Sequence, residues 1–115
     1  MSHRIEQVNE LLRSELAVLV SREIPLDNGL VTVSYVDCSP DLRYAKVGIS
    51  VLPENVTGTA LGRLKNAGGS FNRELGKKLK MRRIPRFRWV IDERERNAAK
   101  IEETLRLIHD NDRYE

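Results

Sequence analysis

Two runs of alternating residues, close together in the chain, restrict its fold more than any other feature. Val31-Thr32-Val33-Ser34-Tyr35-Val36 alternates in period two and is rich in β-branched residues, which predicts a strand. In the second run Ala45, Val47, Ile49 and Val51 face one way while Lys46, Gly48 and Ser50 face the other. Ser39-Pro40-Asp41-Leu42 supplies a reversal between them, with proline fixing φ at a turn position. Pro53 ends the second strand. The product is a β-hairpin with one apolar face, which other elements must cover.

The covering elements are legible on either side. Ile5, Val8, Leu12, Leu16 and Leu19 recur at spacings of three and four, one face of a helix over about residues 3–23. Ser2 can cap its start and Pro25 forbids its continuation. Leu26-Asp27-Asn28-Gly29 then reads as a turn, because Asn-Gly tolerates positive φ. Over residues 59–80, Leu61, Leu64, Phe71, Leu75 and Leu79 share one stripe, with Gly68 in the series between Leu64 and Phe71. Ala67-Gly68-Gly69-Ser70 places two glycines in mid-helix, each costing about 1 kcal/mol relative to alanine. A stripe that keeps phase through such a site predicts a bent helix with its bend at the glycines. From Ile84 to Ile91 alternation returns, with Phe87, Trp89 and Ile91 inward and Arg86 and Arg88 outward. Asp92 followed by Glu95 predicts a capped final helix with Ala98, Ile101, Leu105 and Ile108 on one face. The order helix, strand, strand, bent helix, strand, helix predicts an α+β sandwich of two layers. Its sheet is small, mixed and three-stranded, and helices cover one face. The whole chain, residues 1–115 with a core over about 3–108, is expected to form a single domain.

Composition narrows the function. With 115 residues, 32% charged and 40% hydrophobic, the chain is globular in character and has no apolar run long enough to span a membrane. Cys38 is the only cysteine, so no internal disulfide can form, and a cytoplasmic, reducing compartment is expected. His3 and His109 lie near opposite ends without cysteine or carboxylate at metal-ligand spacing, and no metal or cofactor is expected. Cys38 reads as a packed thiol, and Glu93 and Glu95 among Arg94 and Arg96 read as a salt-bridged helix start. No phosphate-binding glycine motif occurs, and no catalytic constellation survives, so the chain is not expected to be an enzyme. Phe71, Phe87 and Trp89 are assigned to the core, which leaves no aromatic platform for stacking bases.

Net charge is only +3, but its distribution is uneven. Arg73, Lys77, Lys78, Lys80, Arg82, Arg83, Arg86 and Arg88 lie with one acid, Glu74, in residues 73–88, so that stretch carries +7 and the rest of the chain −4. At about 100° per residue, Arg73, Lys77 and Lys80 fall on one helical face, nearly opposite Phe71, Leu75 and Leu79. Lys80, Arg82 and Arg83 continue the charge through a loop, and Arg86 and Arg88 extend it along the next strand. Such a track matches phosphate spacing better than any small ligand. The plain alternative is a solvated face that maintains solubility, but solvated helices usually mix signs. The glycine pair has two readings as well: a close approach by a neighbouring element, or a bare backbone that admits a sugar–phosphate chain.

These residues resemble those of the bacterial ribosome-binding factor A family over about residues 5–105. The strongest pieces are Ser39-Pro40-Asp41-Leu42-Arg43-Tyr44-Ala45-Lys46-Val47, then Ala67-Gly68-Gly69, then Pro85-Arg86-Phe87-Arg88-Trp89 running on to Asp92. The resemblance implies a KH-like fold of type II order in which an Ala-x-Gly kink, here Ala67-Gly68-Gly69, replaces the usual G-x-x-G loop. It implies a non-catalytic role in late maturation of the small (30S) ribosomal subunit: binding its precursor, contacting 16S ribosomal RNA and aiding 5′-end processing, often in cold adaptation. Two positions depart from the family pattern. Leu26-Asp27-Asn28 stands where Asp-Pro-Arg is common, and Arg94 stands where serine is common, which predicts an added cation on the RNA side.

The expected interface is therefore Arg73, Lys77, Lys78, Lys80, Arg82, Arg83, Arg86 and Arg88, with Ala67, Gly68, Gly69 and Ser70 as the kink. The expected partners are the small ribosomal subunit and 16S rRNA, without a membrane, and the chain is expected to act as a monomer. Two rivals predict different behaviour: an adaptor whose basic face meets an acidic protein, and a processing nuclease.

Overall fold

The structure is a computed structural model that describes residues 2–27 and 29–94. The side chains of Ser2 and His3, and so the cap expected at Ser2, fall outside that set. So do Asn28, Glu95, His109 and the final helix expected to carry Ala98, Ile101, Leu105 and Ile108. Elements run α1 (Ser2–Glu23), β1 (Leu30–Cys38), β2 (Tyr44–Leu52), a short 3-10 turn (Glu54–Val56), α2 (Thr57–Lys78) and β3 (Arg86–Ile91). The sheet order is β1-β2-β3, with β1 antiparallel and β3 parallel to β2, so it is mixed, as the sequence predicts. Both helices lie on one face of it, α1 mainly across β1 and α2 against β3.

The apolar stripes meet where expected. Leu12, Leu16 and Val20 of α1 and Leu64, Phe71 and Leu75 of α2 are fully buried against Val47, Ile49 and Val51 of β2. Each such side chain contributes roughly 1.5–3 kcal/mol by leaving water. The strict alternation expected of β1 does not hold. The register shifts between Val33 and Tyr35, a β-bulge with Ser34 as the extra residue, so Val33 and Val36 both face the core. Ser34 Oγ donates to the Gly48 carbonyl at 3.0 Å. Past the bulge the Tyr35 ring lies over Gly48 on the open face of the sheet, where a Cβ at Gly48 would sit 2.0 Å from the ring. Gly29 serves packing rather than a positive φ: no described glycine has one, and a Cβ there would lie 2.9 Å from the Leu52 carbonyl.

The reversal between the strands is built as its sequence implies, with one addition. The Leu42 amide donates to the Ser39 carbonyl at 2.9 Å, closing the turn over Pro40 and Asp41. Asp41 Oδ1 accepts from Ser39 Oγ at 2.6 Å and from the Arg43 amide at 3.1 Å. Leu42 itself takes φ 58°, the one positive φ of a non-glycine among the described residues. For a leucine this left-handed backbone costs about 1–2 kcal/mol.

Helical structure in the second helix runs unbroken from Thr57 to Lys78 through Ala67, Gly68, Gly69 and Ser70, a continuity that a bend at the glycines would leave intact. The helix end corrects one expectation, coming earlier than the sequence suggests: Leu79 is extended, with φ −98° and ψ 140°. Lys80 therefore lies beyond the helix, in the loop to β3. Asn72 Nδ2 donates to the carbonyls of Ile84 at 3.5 Å and Pro85 at 3.1 Å, which pins the far end of that loop to α2.

Candidate nucleic-acid interface

The fold sorts the eight cations of residues 73–88 into three groups. Arg73 and Lys77 are exposed on α2, on the side away from Phe71 and Leu75, as the helical spacing predicts. Lys78 points the other way, its Nζ 2.7 Å from Glu15 Oε2 on α1. One turn back, Glu74 accepts from Arg22 of α1 at 2.8 Å. The two pairs form a seam between the helices, neutralising one cation of the run together with its only acid.

Lys80, Arg82 and Arg83 form the second group, in the loop between α2 and β3. There they meet Arg4 from the first turn of α1 around an open cleft of about 810 Å³. No described carboxylate pairs with any of these four cations. Arg4 is the residue sequence reasoning missed. It lies almost eighty positions from the loop, and only the packing of α1 across the hairpin brings them together.

Arg86 and Arg88 make up the third group. Phe87, Trp89 and Ile91 pack toward the helices, so the two arginines turn toward the open face of the sheet, in register with Tyr44 and Lys46. Because β3 is an edge strand, Arg88 also borders a groove of about 500 Å³ lined by Leu61, Lys65, Phe87 and Trp89. Phe87 and Trp89 are thus only half-buried, their ring centroids 6.0 Å apart. The expectation that they belong wholly to the core is corrected: each leaves one side on the groove. Lys46 and Lys65 are further cations the sequence did not single out. The parallel register that sets Lys46 beside Arg88 has no local signature.

Arg94 does not add a loose cation. It makes a bidentate pair with the buried Asp92, Nε at 2.9 Å from Oδ1 and Nη2 at 2.9 Å from Oδ2, and its guanidinium lies 4.8 Å from the Tyr35 ring centre. The Arg94 amide also donates to Asp92 Oδ1 at 3.0 Å. Hydrogen bonding from Arg94 holds the Asp92 carboxyl well below the usual carboxylate range, against the opposing effect of burial. Asp41 is held low too, first by the Ser39 hydroxyl. Cys38 is buried at the end of β1, and burial, with Asp37 beside it, pushes its thiol up to about 11. It is therefore protonated at neutral pH and a poor nucleophile.

Of the four residues expected to form the kink, Ala67 packs partly against the core and the two glycines have open surroundings. A Cβ built at Gly68 would meet nothing within 4 Å, and one at Gly69 only Arg73 Nη1 at 3.8 Å. Among the described residues no neighbouring element therefore requires either glycine, which speaks against the packing reading. The helix also keeps its hydrogen bonding there, so its amides are not offered to a ligand. What remains is a bare stretch of helix surface beside Arg73.

A two-layer α+β domain of KH-like type II order, with unpaired cations gathered at one end, is the class of protein these elements define. A family model described as ribosome-binding factor A matches residues 4–105, and the chain belongs to that family. It is 37% identical over 107 residues to ribosome-binding factor A of Brevibacillus brevis, covering 91% of this chain and 88% of the relative. To the Thermomicrobium roseum protein it is 34% identical over 109 residues, with 93% and 84% covered. Among solved structures it resembles the crystal structure of ribosome-binding factor A from Thermus thermophilus. That match has a TM-score of 0.66 at 25% identity and covers 76% of this chain and 93% of the other. It also resembles a homology model of the T. thermophilus factor fitted into a cryo-EM map of a 30S complex, with a TM-score of 0.64, 25% identity and 73% and 90% covered. No described helix is long and apolar enough to cross a membrane.

Proposed function

We propose that the chain is a non-catalytic assembly factor that binds the small ribosomal subunit or its precursor and supports late 16S rRNA maturation, including 5′-end processing. The observation that carries this reading is the convergence of Arg4, Lys80, Arg82 and Arg83 at one end of a domain of this family, none of them neutralised by a described acid. Arg73 and Lys77 extend the surface along α2, and Arg86 and Arg88 supply a second cationic patch around the sheet edge. Phosphates provide most of the affinity, and RNA shape rather than base sequence provides selectivity. The bare helix surface at Gly68, Gly69 and Ser70, next to Ala67, lets a sugar–phosphate strand approach α2 closely. The T. thermophilus relative fitted into a 30S map supports the choice of partner. The factor works in the cytoplasm as a monomer, with cold adaptation as the setting in which its loss matters most.

Cosedimentation with separated small subunits, large subunits and whole ribosomes across a salt series tests this. Selective binding to the small subunit is expected, with affinity falling on the order of a thousandfold or more per decade of salt if about five phosphates are neutralised. Equal binding to both subunits, or binding insensitive to salt, would sink the proposal. Binding that survives nuclease treatment of the partner would point to a protein adaptor, and cleavage of precursor RNA by the purified chain to a nuclease.

A further inference from the structure

The end cleft has a floor as well as a rim. Val8 of α1, Leu42 of the reversal and Met81 of the loop are half-buried against the core and turn their remaining apolar surface into the cleft between the cations. A surface meant only for phosphates has no use for that floor. Leu42 reaches it through the one positive φ of a non-glycine among the described residues. A glycine would adopt that backbone without strain, but it would leave the floor without its middle side chain. Strained residues of this kind persist where surrounding structure holds them, and they cluster at ligand sites. The acid in the cleft, Asp41, is turned into the hairpin by Ser39 and the Arg43 amide, with the Arg43 Nε 3.9 Å from Oδ2. It therefore opposes an anion less than a free carboxylate would. At about 810 Å³ the open cleft is also a recess with room for one nucleotide rather than a flat surface.

We propose that this cleft takes a single unpaired RNA nucleotide turned out of its helix. The base rests on Val8, Leu42 and Met81, and the phosphates on either side meet Arg4, Lys80, Arg82 and Arg83. Arginine guanidinium planes can stack on the base where no aromatic ring is present, and unpaired nucleotides are the parts of folded RNA that offer a free base face. The inference rests on the RNA-binding reading above and adds to it a preference for a bulge.

The test is a titration of the full chain with two RNA hairpins of equal length and charge, at about 0.1 M salt. One carries a single bulged 2-aminopurine, and the other holds the same base paired in its stem. The bulged hairpin should bind about tenfold tighter, the scale of one added base contact. Its 2-aminopurine emission should change on binding. Leu42→Gly should bring the two affinities to within about twofold while leaving binding of the paired hairpin unchanged. Met81→Ser serves the same purpose if circular dichroism shows Leu42→Gly unfolded. Equal wild-type affinities overturn the cleft proposal and leave the RNA-binding reading standing, whereas no binding to either hairpin at low salt overturns both. A bulge preference that survives Leu42→Gly and Met81→Ser, or a loss shared equally by both hairpins, also overturns it.

Discussion

Lys78 and Lys80 stand two residues apart in one basic run and belong to different surfaces. Lys78, in the last turn of α2, reaches across to Glu15 and helps fasten that helix to α1. Lys80, just past the helix end, faces an open cleft with Arg4, Arg82 and Arg83 and forms an ion pair with no described carboxylate. The seam between the helices and the cleft at the end of the molecule thus divide the same sequence charge. The seam uses opposite signs to hold elements together, and the cleft leaves its cations without ion-pair partners because its one acid, Asp41, is engaged by Ser39 and Arg43. A cation becomes available to a phosphate only where the fold brings it no acid, so the +7 of residues 73–88 overstates what any one partner can meet.

The sharpest break between the two regions is expected from charge reversal in the cleft. Lys80→Glu, Arg82→Glu and Arg83→Glu together should weaken small-subunit binding about a hundredfold or more and flatten its salt dependence by about three units of slope. Melting should barely move, because these exposed side chains pack little; a large fall in stability with unchanged binding would invert the comparison. The next effect belongs to the paired class. Asp92→Ala should cost about 2 kcal/mol of stability, losing three hydrogen bonds from Arg94 to a buried carboxylate. It should leave the salt slope as it was.

The same carboxyl gives a pH test with a definite sign. The folded-state pKa of Asp92 lies below its ordinary value of 3.8, so its contribution is fully present above that value. It disappears as pH falls toward the lower, folded pKa. Chemical denaturation from pH 6 downward should therefore show wild type and Asp92→Ala converging only below about pH 4. A gap that is constant down to pH 2 would mean that the carboxylate is not held by Arg94.

A smaller effect separates stability from binding on α2. Gly68→Ala and Gly69→Ala should each stabilise the fold by about 0.5–1 kcal/mol, since an added methyl meets open space at the first and a flexible arginine at the second. If the bare surface admits RNA, the same changes should weaken subunit binding. Stabilised variants that bind as wild type would leave these glycines without a role in RNA recognition.

The elements were legible because each rests on local pattern: the stripe Leu12, Leu16 and Leu19, the turn over Pro40, the inward set Phe87, Trp89 and Ile91. What escaped depends on contacts between segments far apart in sequence. The bulge at Ser34 shifts β1 by one residue, and alternation cannot announce it because Tyr35 and Val36 both suit a strand. The helix end at Lys78 was hidden because Leu79 keeps the stripe's phase, which moved Lys80 from an expected helix face to a loop. Arg4 joined the site and Lys78 left it through the packing of α1, which no pattern within residues 73–88 encodes. The expected contribution of Arg94 failed for a local reason that was readable: Asp92, two residues before it, is placed to accept both its amide and its guanidinium.

The smallest expected effect sets the two lysines directly against each other. Lys78→Ala removes a partner from Glu15, but the lysine is largely exposed, with 64% of its side-chain surface open, and such pairs contribute at most about 1 kcal/mol. Its melting temperature should shift slightly and its salt slope not at all. Lys80→Ala should do the reverse, leaving melting unchanged and lowering the slope by about one unit, as happens when one phosphate is no longer neutralised. Both variants remove one positive charge from the chain and differ only in what the fold places beside it. Identical slopes would therefore show that RNA responds to net charge alone, and the division into seam and cleft would have no functional meaning.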